Sequence, residues 1–441
     1  MRRVNALAFI MAALALAPAA QAQPQAPASA PAKTITLTDI QAAQLLIANN
    51  RLDDAKTLLA RRLAAQPEDS ETLFLLGTIA VAEKDYDAAI SYFRHILVNE
   101  PNTERVRLEL GRAFFLKGDY DNADRQFHFA RAGDIPDAVK VNIDQYLSAI
   151  NRLREWTFNF SFALAPDTNE NAATSVSQVT IYGLPFALDA SARRQSGIGG
   201  AVDVGGEWSP LLTDNVKARI GLDAYRVEYS GGSFDDMTLS SYAGPQFLFS
   251  GWDVSVLATG FDRWYGNRPY LKGGGGKLAA DWGITSNILI GASIGGQAIF
   301  YKSNTLQDGP LYSSALQASY VLSPSTVFSL QTGFNRQEAE VSPYAYSGYW
   351  VGAGYSQDLP FGFSAALQPS YQITQYDAAL EGFGATRSDH ALSLNLSLLN
   401  RRFDYHGFTP RFSYSFTDQH SNIALYSYSR SQFQVGLTSQ F

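Results

Sequence analysis

The sequence predicts an α-helical repeat domain followed by a 14-stranded antiparallel transmembrane β-barrel. Two patterns support this fold class: an early segment repeats every 34 residues, and a longer, later segment alternates apolar with polar residues. Charged residues make up only 17% of the 441 residues, against roughly 25% in an average soluble protein. A wall that faces lipid would account for this shortage of charge.

The N-terminus has the features of a secretory signal peptide over residues 1–22. Arg2 and Arg3 provide positive charge, an alanine-rich apolar run follows, and Ala20-Gln21-Ala22 forms a small-x-small cleavage site. Residues 23–37 are rich in Pro, Ala and Gln, which predicts a disordered leader. We therefore expect an exported protein, and no later apolar run is long enough for a transmembrane helix.

Residues 38–153 contain the helical repeat. Gly111 lies 34 residues after Gly77, and Phe127 lies 34 residues after Phe93. This pattern resembles the tetratricopeptide repeat, which has small residues where its paired helices touch and a Pro that closes each unit. We expect three repeats and a capping helix from Pro136 to about Arg152.

The first helix of each repeat usually lines a concave surface. In this sequence the inward positions are mostly apolar, so they predict a groove that binds an extended or partly folded client polypeptide. The alternative interpretation is that these side chains are buried against a neighbouring helix or the second domain. The predicted groove residues are Ile40, Ile47, Phe74, Val81, Leu108, Arg112 and Phe115.

Residues 154–441 alternate with a period of two. In residues 392–398, Leu at every even position alternates with Ser or Asn, as a strand requires when its two faces meet different surroundings. Short turns such as Asp214-Asn215 alternate with longer polar connections, the first from Ala165 to Ser196, which is typical of an outer-membrane barrel. The 14 predicted strands start near Trp156, Gly197, Val216, Thr238, Trp252, Leu271, Ile288, Tyr312, Val327, Tyr346, Phe361, Ser388, Gly407 and Ser431.

The last strand carries an apolar stripe and the sequence ends on phenylalanine. Phe433, Val435, Leu437 and Phe441 form this stripe, which resembles the terminal signal read by the machinery that inserts outer-membrane barrels. With an even number of strands, both ends of the barrel face the periplasm. We therefore expect the outer membrane as the location, with the repeat domain in the periplasm.

The sequence offers no site for catalysis, a metal or a cofactor. Cysteine is absent, which excludes disulfides, Cys-based metal sites and thiol catalysis. The five histidines show no ligand spacing, and no Ser, His and Asx set has a recognisable arrangement. A net charge of −7 provides no basic footprint for nucleic acid. We predict a protein that is not an enzyme and needs no cofactor.

A polar segment, Ala165-Pro166-Asp167-Thr168-Asn169-Glu170-Asn171, follows the first predicted strand. Together with the signal peptide, the repeats and the 14 strands, it resembles the Slam family, the surface lipoprotein assembly modulators of type XI secretion. Pro166, Asp167, Asn169 and Asn171 carry the family-like motif. The resemblance implies a translocon that exports surface lipoproteins or soluble proteins, often ones that capture haem or iron. It also implies cooperation with the barrel-assembly machinery and periplasmic chaperones.

A diffusion channel with an accessory periplasmic module is the alternative function. Fourteen strands lie between the filled eight-stranded barrels and the 16–18-stranded porins that have aqueous lumens. Porin lumens are commonly lined with paired rings of charge, whereas the inward charges that the pattern predicts here are sparse. They are Arg219, Lys277, Asp281, Arg336 and Arg411.

Overall fold

A computed structural model describes residues 37–285, 287–403 and 408–439 of the chain. The predicted signal peptide, all but the last residue of the leader, and Phe441 of the insertion signal lie outside the described residues. None of the described helices is long and apolar enough to cross a membrane.

Seven helices form the first part of the described chain. Their starts are set by short polar side chains: Asp69, Asp85 and Asp119 each accept a backbone N–H of the first helical turn, and Thr38 does so within a capping box. The helices are α1 (Asp39–Ala48), α2 (Leu52–Ala65), α3 (Ser70–Ala82), α4 (Tyr86–Asn99), α5 (Glu104–Lys117), α6 (Tyr120–Arg131) and α7 (Asp137–Leu153).

The 34-residue spacing has a direct packing cause. A Cβ at Gly77 would lie 2.6 Å from the ring of Phe93, and one at Gly111 would lie 3.1 Å from the ring of Phe127. Both phenylalanines are fully buried, so glycine is required for α3 to approach α4 and for α5 to approach α6. The three helix pairs and the following helix α7 agree with the predicted repeats and capping helix.

Fourteen strands form a closed antiparallel wall after the helices. Closure comes from β1, which pairs with β2 on one side and with β14 on the other. This confirms the predicted barrel. The strands are β1 (Trp156–Asp167), β2 (Gly197–Trp208), β3 (Val216–Tyr229), β4 (Asp236–Phe249), β5 (Trp252–Tyr265), β6 (Arg268–Gly283), β7 (Ile288–Tyr301), β8 (Gly309–Ser323), β9 (Thr326–Gln337), β10 (Tyr346–Asp358), β11 (Phe363–Leu380), β12 (Ala385–Asn400), β13 (Thr409–Ser421) and β14 (Tyr428–Thr438).

The strand starts lie within three residues of the predicted ones, but one prediction about the first connection is wrong. The first loop was expected from Ala165, whereas β1 continues to Asp167, which pairs with Gly197 of β2 and Gln432 of β14. Pro166 and Asp167 are therefore strand residues. Loop 1 (residues 168–196) follows and contains a small hairpin of Gln178–Ile181 and Leu184–Ala187.

The two faces of the wall differ as the alternation predicts. On β1, Phe158, Phe160 and Phe162 point outward and are exposed, while Ala163 and Ala165 point inward and are buried. On β14, the outward residues are Phe433, Val435 and Leu437, which belong to the predicted apolar stripe. An apolar outer face is the property of a barrel that is surrounded by lipid.

The short turns and the helical repeats lie at one end of the barrel, here called the turn end; the opposite end, which carries loop 1, is the loop end. Outward aromatic rings gather at the turn end: Trp156 stacks on Trp208 at 5.8 Å, and Phe249 stacks on Trp252 at 4.1 Å. Such a girdle marks the level at which a barrel leaves the apolar part of the membrane.

Candidate functional site: a chamber between the repeats and the barrel

A cavity of about 1530 Å³ lies between the helical repeats and the turn end of the barrel. We call it the chamber. Helices α4, α5 and α6 form one side, and the other side is formed by the start of β1, the β12–β13 turn and the residues next to β13 and β14. The chamber is thus the space where the repeats meet the first and last strands.

Helical spacing brings the side chains of α4 into the chamber. Asp87, Ser91, Arg94, His95 and Val98 line it and follow one another at intervals of one to four residues. Residues three or four apart lie on one face of a helix, so a single face of α4 borders the cavity. This spacing was present in the sequence, but reasoning from the first helices of the repeats overlooked it.

One part of the chamber wall is aromatic. Trp156 and Phe158 belong to the outward face of β1, and Phe361 and Phe408 lie in or beside turns at the same end. Trp156 is 55% exposed and Phe158 is 67% exposed, so neither ring is covered by the repeats. The chamber is therefore continuous with the girdle of the barrel.

Another part of the wall carries charge, most of it in pairs. His95 contacts Glu68 at 2.9 Å, and Lys117 contacts Asp87 at 2.6 Å. The hydrogen bond from His95 holds the pKa of Glu68 below its usual range. Arg125 differs: it makes no hydrogen bond or ion pair within the described chain, although burial and the positive charge of Arg401 lower its pKa to about 9. It is still charged at neutral pH.

A buried ion cluster fastens the repeats to the barrel beside the chamber. Asp358 at the end of β10 accepts from Arg107 of α5 at 2.9 Å and from Arg401 of the β12–β13 turn at 2.7 Å. Arg107 is fully buried and also donates to the carbonyl of Pro101 and to Gln126. Its burial lowers its pKa. A carboxylate shared by two arginines fixes α5 against the barrel.

A second joint connects α7 to β3. The ammonium of Lys217 donates to the carbonyl oxygens of Asn151 at 2.9 Å and Arg154 at 2.6 Å, which lie at the end of that helix, where carbonyls lack an intrahelical partner. A cation is favoured there because it meets the negative end of the helix dipole. The ion cluster and this joint together hold the repeats at the turn end.

The predicted groove residues do not line the chamber. Ile40 and Val81 are buried, while Ile47, Phe74, Leu108 and Phe115 are half-buried and Arg112 is exposed. Phe74 lies against Phe93 and under the guanidinium of Arg105, and Phe115 lies against Tyr120 and Tyr146. The groove on the first helices remains a prediction, separate from the chamber.

The family-like motif lies at the loop end, where Asp167 is the centre of a buried network. Its carboxylate accepts from Arg430 at 2.6 and 2.9 Å, from the hydroxyl of Tyr229 at 2.9 Å and from Gln432 at 3.2 Å. Arg430 and Gln432 belong to β14 and Tyr229 belongs to β3. Asp167 therefore ties the first strand to the last.

The two asparagines of the motif shape loop 1. Fully buried Asn169 donates to the carbonyls of Ala173 and Ser429 and accepts from the backbone of Ala173. Asn171 donates to the carbonyl of Arg193 and accepts from the backbone of Gln195. The motif thus closes the barrel and orders the loop. The sequence alone indicated only a long polar connection here.

Of the inward charges that the sequence predicts, Arg219 is paired, whereas Lys277, Asp281 and Arg411 form no ion pair or side-chain hydrogen bond with another described residue. Arg219 contacts Glu207 at 2.6 Å. Arg336 contacts Asp377 at 2.6 Å, but the prediction that it points inward is wrong, because it shares the outward face of β9 with Phe328 and Leu330. The sequence indicated these two arginines but not their acidic partners, because Glu207 and Asp377 lie on other strands. The described residues contain no group of three or more His, Asp or Glu side chains that could hold a metal ion.

A closed, 14-stranded, apolar-faced barrel with a helical-repeat module at one end defines a class of transmembrane barrel proteins. A family model described as surface lipoprotein assembly modifier matches residues 156–441, which is more than half of the chain. The chain therefore belongs to the surface lipoprotein assembly modifier family, and it is an outer-membrane protein.

Three curated relatives align over most of this chain. Surface lipoprotein assembly modifier 1 of Haemophilus influenzae is 24% identical over 394 residues, covering 85% of this chain and 79% of the relative. The protein of the same name from Neisseria meningitidis serogroup B is 24% identical over 417 residues, covering 90% and 81%. The hemophilin secretion modulator of Acinetobacter baumannii is 22% identical over 393 residues, covering 84% and 79%. These names describe assembly and secretion rather than catalysis.

Proposed function

We propose that this chain is an outer-membrane translocon that exports surface lipoproteins or soluble secreted proteins, including ones that capture haem. Membership of the surface lipoprotein assembly modifier family supports export as the activity. The name of the Acinetobacter baumannii relative supports a soluble client as well, because it refers to secretion of hemophilin.

The observation that carries this proposal is the chamber. It lies between the helical-repeat module and the turn end of the barrel, next to the start of β1 and the end of β14. Its volume of about 1530 Å³ exceeds the roughly 300–1,000 Å³ of small-molecule pockets but is far too small for a folded domain. The client would therefore pass as an extended or partly folded segment.

The proposal places the repeats in the periplasm. The described barrel begins and ends at the turn end, and short turns face the periplasm in bacterial barrels. There the repeats would receive the client from periplasmic chaperones, through the groove of Ile40, Ile47, Phe74, Val81, Leu108, Arg112 and Phe115. The barrel-assembly machinery would cooperate at the membrane.

Client folding outside the cell would provide direction without a nucleotide. Burial of apolar surface on folding contributes about 25 cal/mol per Å². A client that folds only after it leaves the barrel would therefore be prevented from sliding back. Among the predicted charges that do point inward, only Arg219 forms an ion pair within the described residues, so they do not provide the paired rings of charge that would favour a simple diffusion channel.

Reconstitution tests the activity. The full chain is inserted into vesicles with its repeats outward, and a surface lipoprotein encoded beside its gene is added outside. We expect the client to become protected from external protease only in vesicles that contain the chain. Release of an enclosed small dye without protection of the client would contradict the proposal and support a channel.

The groove is tested with charge variants in the same assay. Arg112→Glu changes an exposed side chain whose ion pair, with Glu109 at 3.5 Å, lies within α5, while Arg61→Glu on the exposed face of α2 is the control. Phe74→Glu and Phe115→Glu place charge at the half-buried positions, with far-UV circular dichroism to verify folding. We expect reduced transfer for the groove variants and normal transfer for the control. Normal transfer for all folded variants would contradict a client groove.

A further inference from the structure

The chamber carries two positive side chains, Arg125 and Arg402, that form no hydrogen bond or ion pair with an acidic side chain among the described residues. Arg125 of α6 contacts only the ring of Phe129, with its guanidinium carbon 5.5 Å from the ring centroid. Arg402 of the β12–β13 turn also lines the chamber, and its side chain forms no hydrogen bond or ion pair with another described residue. Two further arginines line the chamber: Arg401 shares Asp358 with Arg107, and Arg94 lies over the ring of Phe114. The chamber wall therefore has an excess of positive charge here.

The four acidic residues of the chamber are engaged mainly by other groups. Glu68 contacts His95 and Asn99, both at 2.9 Å, and also interacts electrostatically with Arg402. Asp87 pairs with Lys117, and Asp121 pairs with Arg154 at 3.0 Å. Asp119 caps the start of α6 by accepting the backbone N–H of Asn122. An anionic ligand would supply the missing partner, and guanidinium groups favour phosphate because its oxygens match their paired N–H donors.

The aromatic part of the chamber indicates where such an anion would come from. Trp156 and Phe158 belong to the same outward stripe of β1 as Phe160, Phe162 and Leu164, which faces the membrane. Phe408 packs edge-on against Phe160, which continues this stripe. The chamber thus opens onto the girdle, at the level where lipid headgroups lie.

We propose that the chamber binds the headgroup of an anionic phospholipid of the adjacent leaflet. Arg125 and Arg402 contact the phosphate, while Trp156 and Phe158 contact the upper parts of the acyl chains. Basic pockets at membrane-facing sites bind anionic headgroups in this way. The bound lipid occupies the part of the chamber next to the girdle, leaves the rest of the volume free for a client segment, and stabilises the orientation of the repeats at the membrane surface.

Trp156 provides a built-in probe for the test. The full chain is inserted into vesicles of phosphatidylcholine that contain a minority of phosphatidylglycerol, with bromine on the acyl chains of one lipid at a time. Bromine quenches the fluorescence of a tryptophan that it contacts. The fluorescence of Trp156 is obtained as the difference between the natural chain and Trp156→Phe. Trp282 on the outward face of β6, isolated in the same way with Trp282→Phe, serves as a position outside the chamber.

We expect brominated phosphatidylglycerol to quench Trp156 more strongly per mole than brominated phosphatidylcholine. Each arginine that contacts the headgroup should contribute a factor of about five to this preference. Trp282 should show no preference between the two lipids. The double variant Arg125→Gln/Arg402→Gln should remove the preference at Trp156, while Arg61→Gln, which removes one exposed positive charge far from the chamber, should retain it.

Three outcomes would contradict this proposal. Equal quenching of Trp156 by the two lipids would show that no anionic headgroup is selected. A preference that survives the double arginine variant would place the lipid elsewhere. Loss of the preference on addition of inorganic phosphate or a soluble polyglutamate peptide would identify a soluble anion or an acidic protein segment as the ligand. The measurement needs no client, so its result is independent of the proposed export activity.

Discussion

Two buried aspartates, one at each end of the barrel, have different structural roles. Asp167 at the loop end accepts from Arg430, Tyr229 and Gln432, all of which belong to the barrel itself. Asp358 at the turn end accepts from Arg401 of the barrel and from Arg107 of the repeats. The first carboxylate closes the barrel on itself, and the second fastens another domain to it.

This difference separates stability of the wall from attachment of the repeats. The seam between β1 and β14 has five register partners among the described residues, against twelve between β1 and β2. Pro166 lies in this seam and has no N–H to donate. The network around Asp167 compensates for sparse backbone pairing, whereas Asp358 contributes little to the wall. Substitution of Asp167 should therefore destabilise the barrel, whereas substitution of Asp358 should weaken attachment of the repeats.

The largest effect is expected for Asp358→Ala. The substitution leaves Arg107, whose side chain is 2% exposed, and Arg401, 19% exposed, without their shared anion. Removal of one partner from a buried ion pair costs about 3–5 kcal/mol. We expect a loss of this size in the free energy that docks the repeats, measured by urea unfolding of the helices with far-UV circular dichroism in detergent.

The barrel should survive the Asp358→Ala substitution. Its migration as a folded band in unheated gel samples should match that of the unaltered chain. Asp214→Ala, which removes an exposed carboxylate from a short turn, is the control and should change either signal by less than about 0.5 kcal/mol. Concerted loss of the barrel and the helices would show that Asp358 supports the wall rather than the joint.

A smaller effect, on the opposite domain, is expected for Asp167→Ala. Arg430 keeps 30% of its side chain exposed and can recover part of its hydration, so we expect a loss of about 2–3 kcal/mol. The loss should appear as unfolding of the barrel band at lower urea concentration, with the helical signal unchanged at the original midpoint. An unchanged barrel midpoint would contradict a closing role for the motif.

A disulfide across the seam sharpens this result. Ser161 and Thr438 are register partners on β1 and β14, and the chain contains no cysteine that could form a competing bond. In Asp167→Ala, the added pair Ser161→Cys/Thr438→Cys should restore most of the lost stability when oxidised, because it supplies the missing closure. The reduced form is the control. Equal stability of the two forms would show that the seam is not the weak point.

The sequence predicted the fold well because local patterns specify it. Alternating residues define each strand, and turn residues limit its length, so the starts were located within three residues. The repeat period followed from Gly77 and Gly111, whose phenylalanine partners lie only one helix away. Contacts between residues that are close in the chain can therefore be recognised from the sequence.

The joints and networks could not be predicted, because their partners are distant in the chain. Arg107 and Asp358 are 251 residues apart, and Asp167 and Arg430 are 263 residues apart. Nothing in local spacing selects one aspartate among many for a given arginine. The chamber was missed for the same reason, since its lining combines α4 and α6 with strand ends that meet only after the barrel closes.

The smallest effect is expected at the second joint, for Lys217→Met. Methionine keeps the apolar stem but cannot donate to the carbonyls of Asn151 and Arg154. The lost hydrogen bonds are partly offset because a buried charge is also removed, so we expect a loss of about 1–2 kcal/mol in docking of the repeats. Urea unfolding of the helices measures it, and Lys217→Arg, which keeps the charge, should lose less. If Lys217→Met and Asp358→Ala weaken docking together by the sum of their separate losses, the two joints act independently; a smaller combined loss would show that breaking either one already releases the repeats.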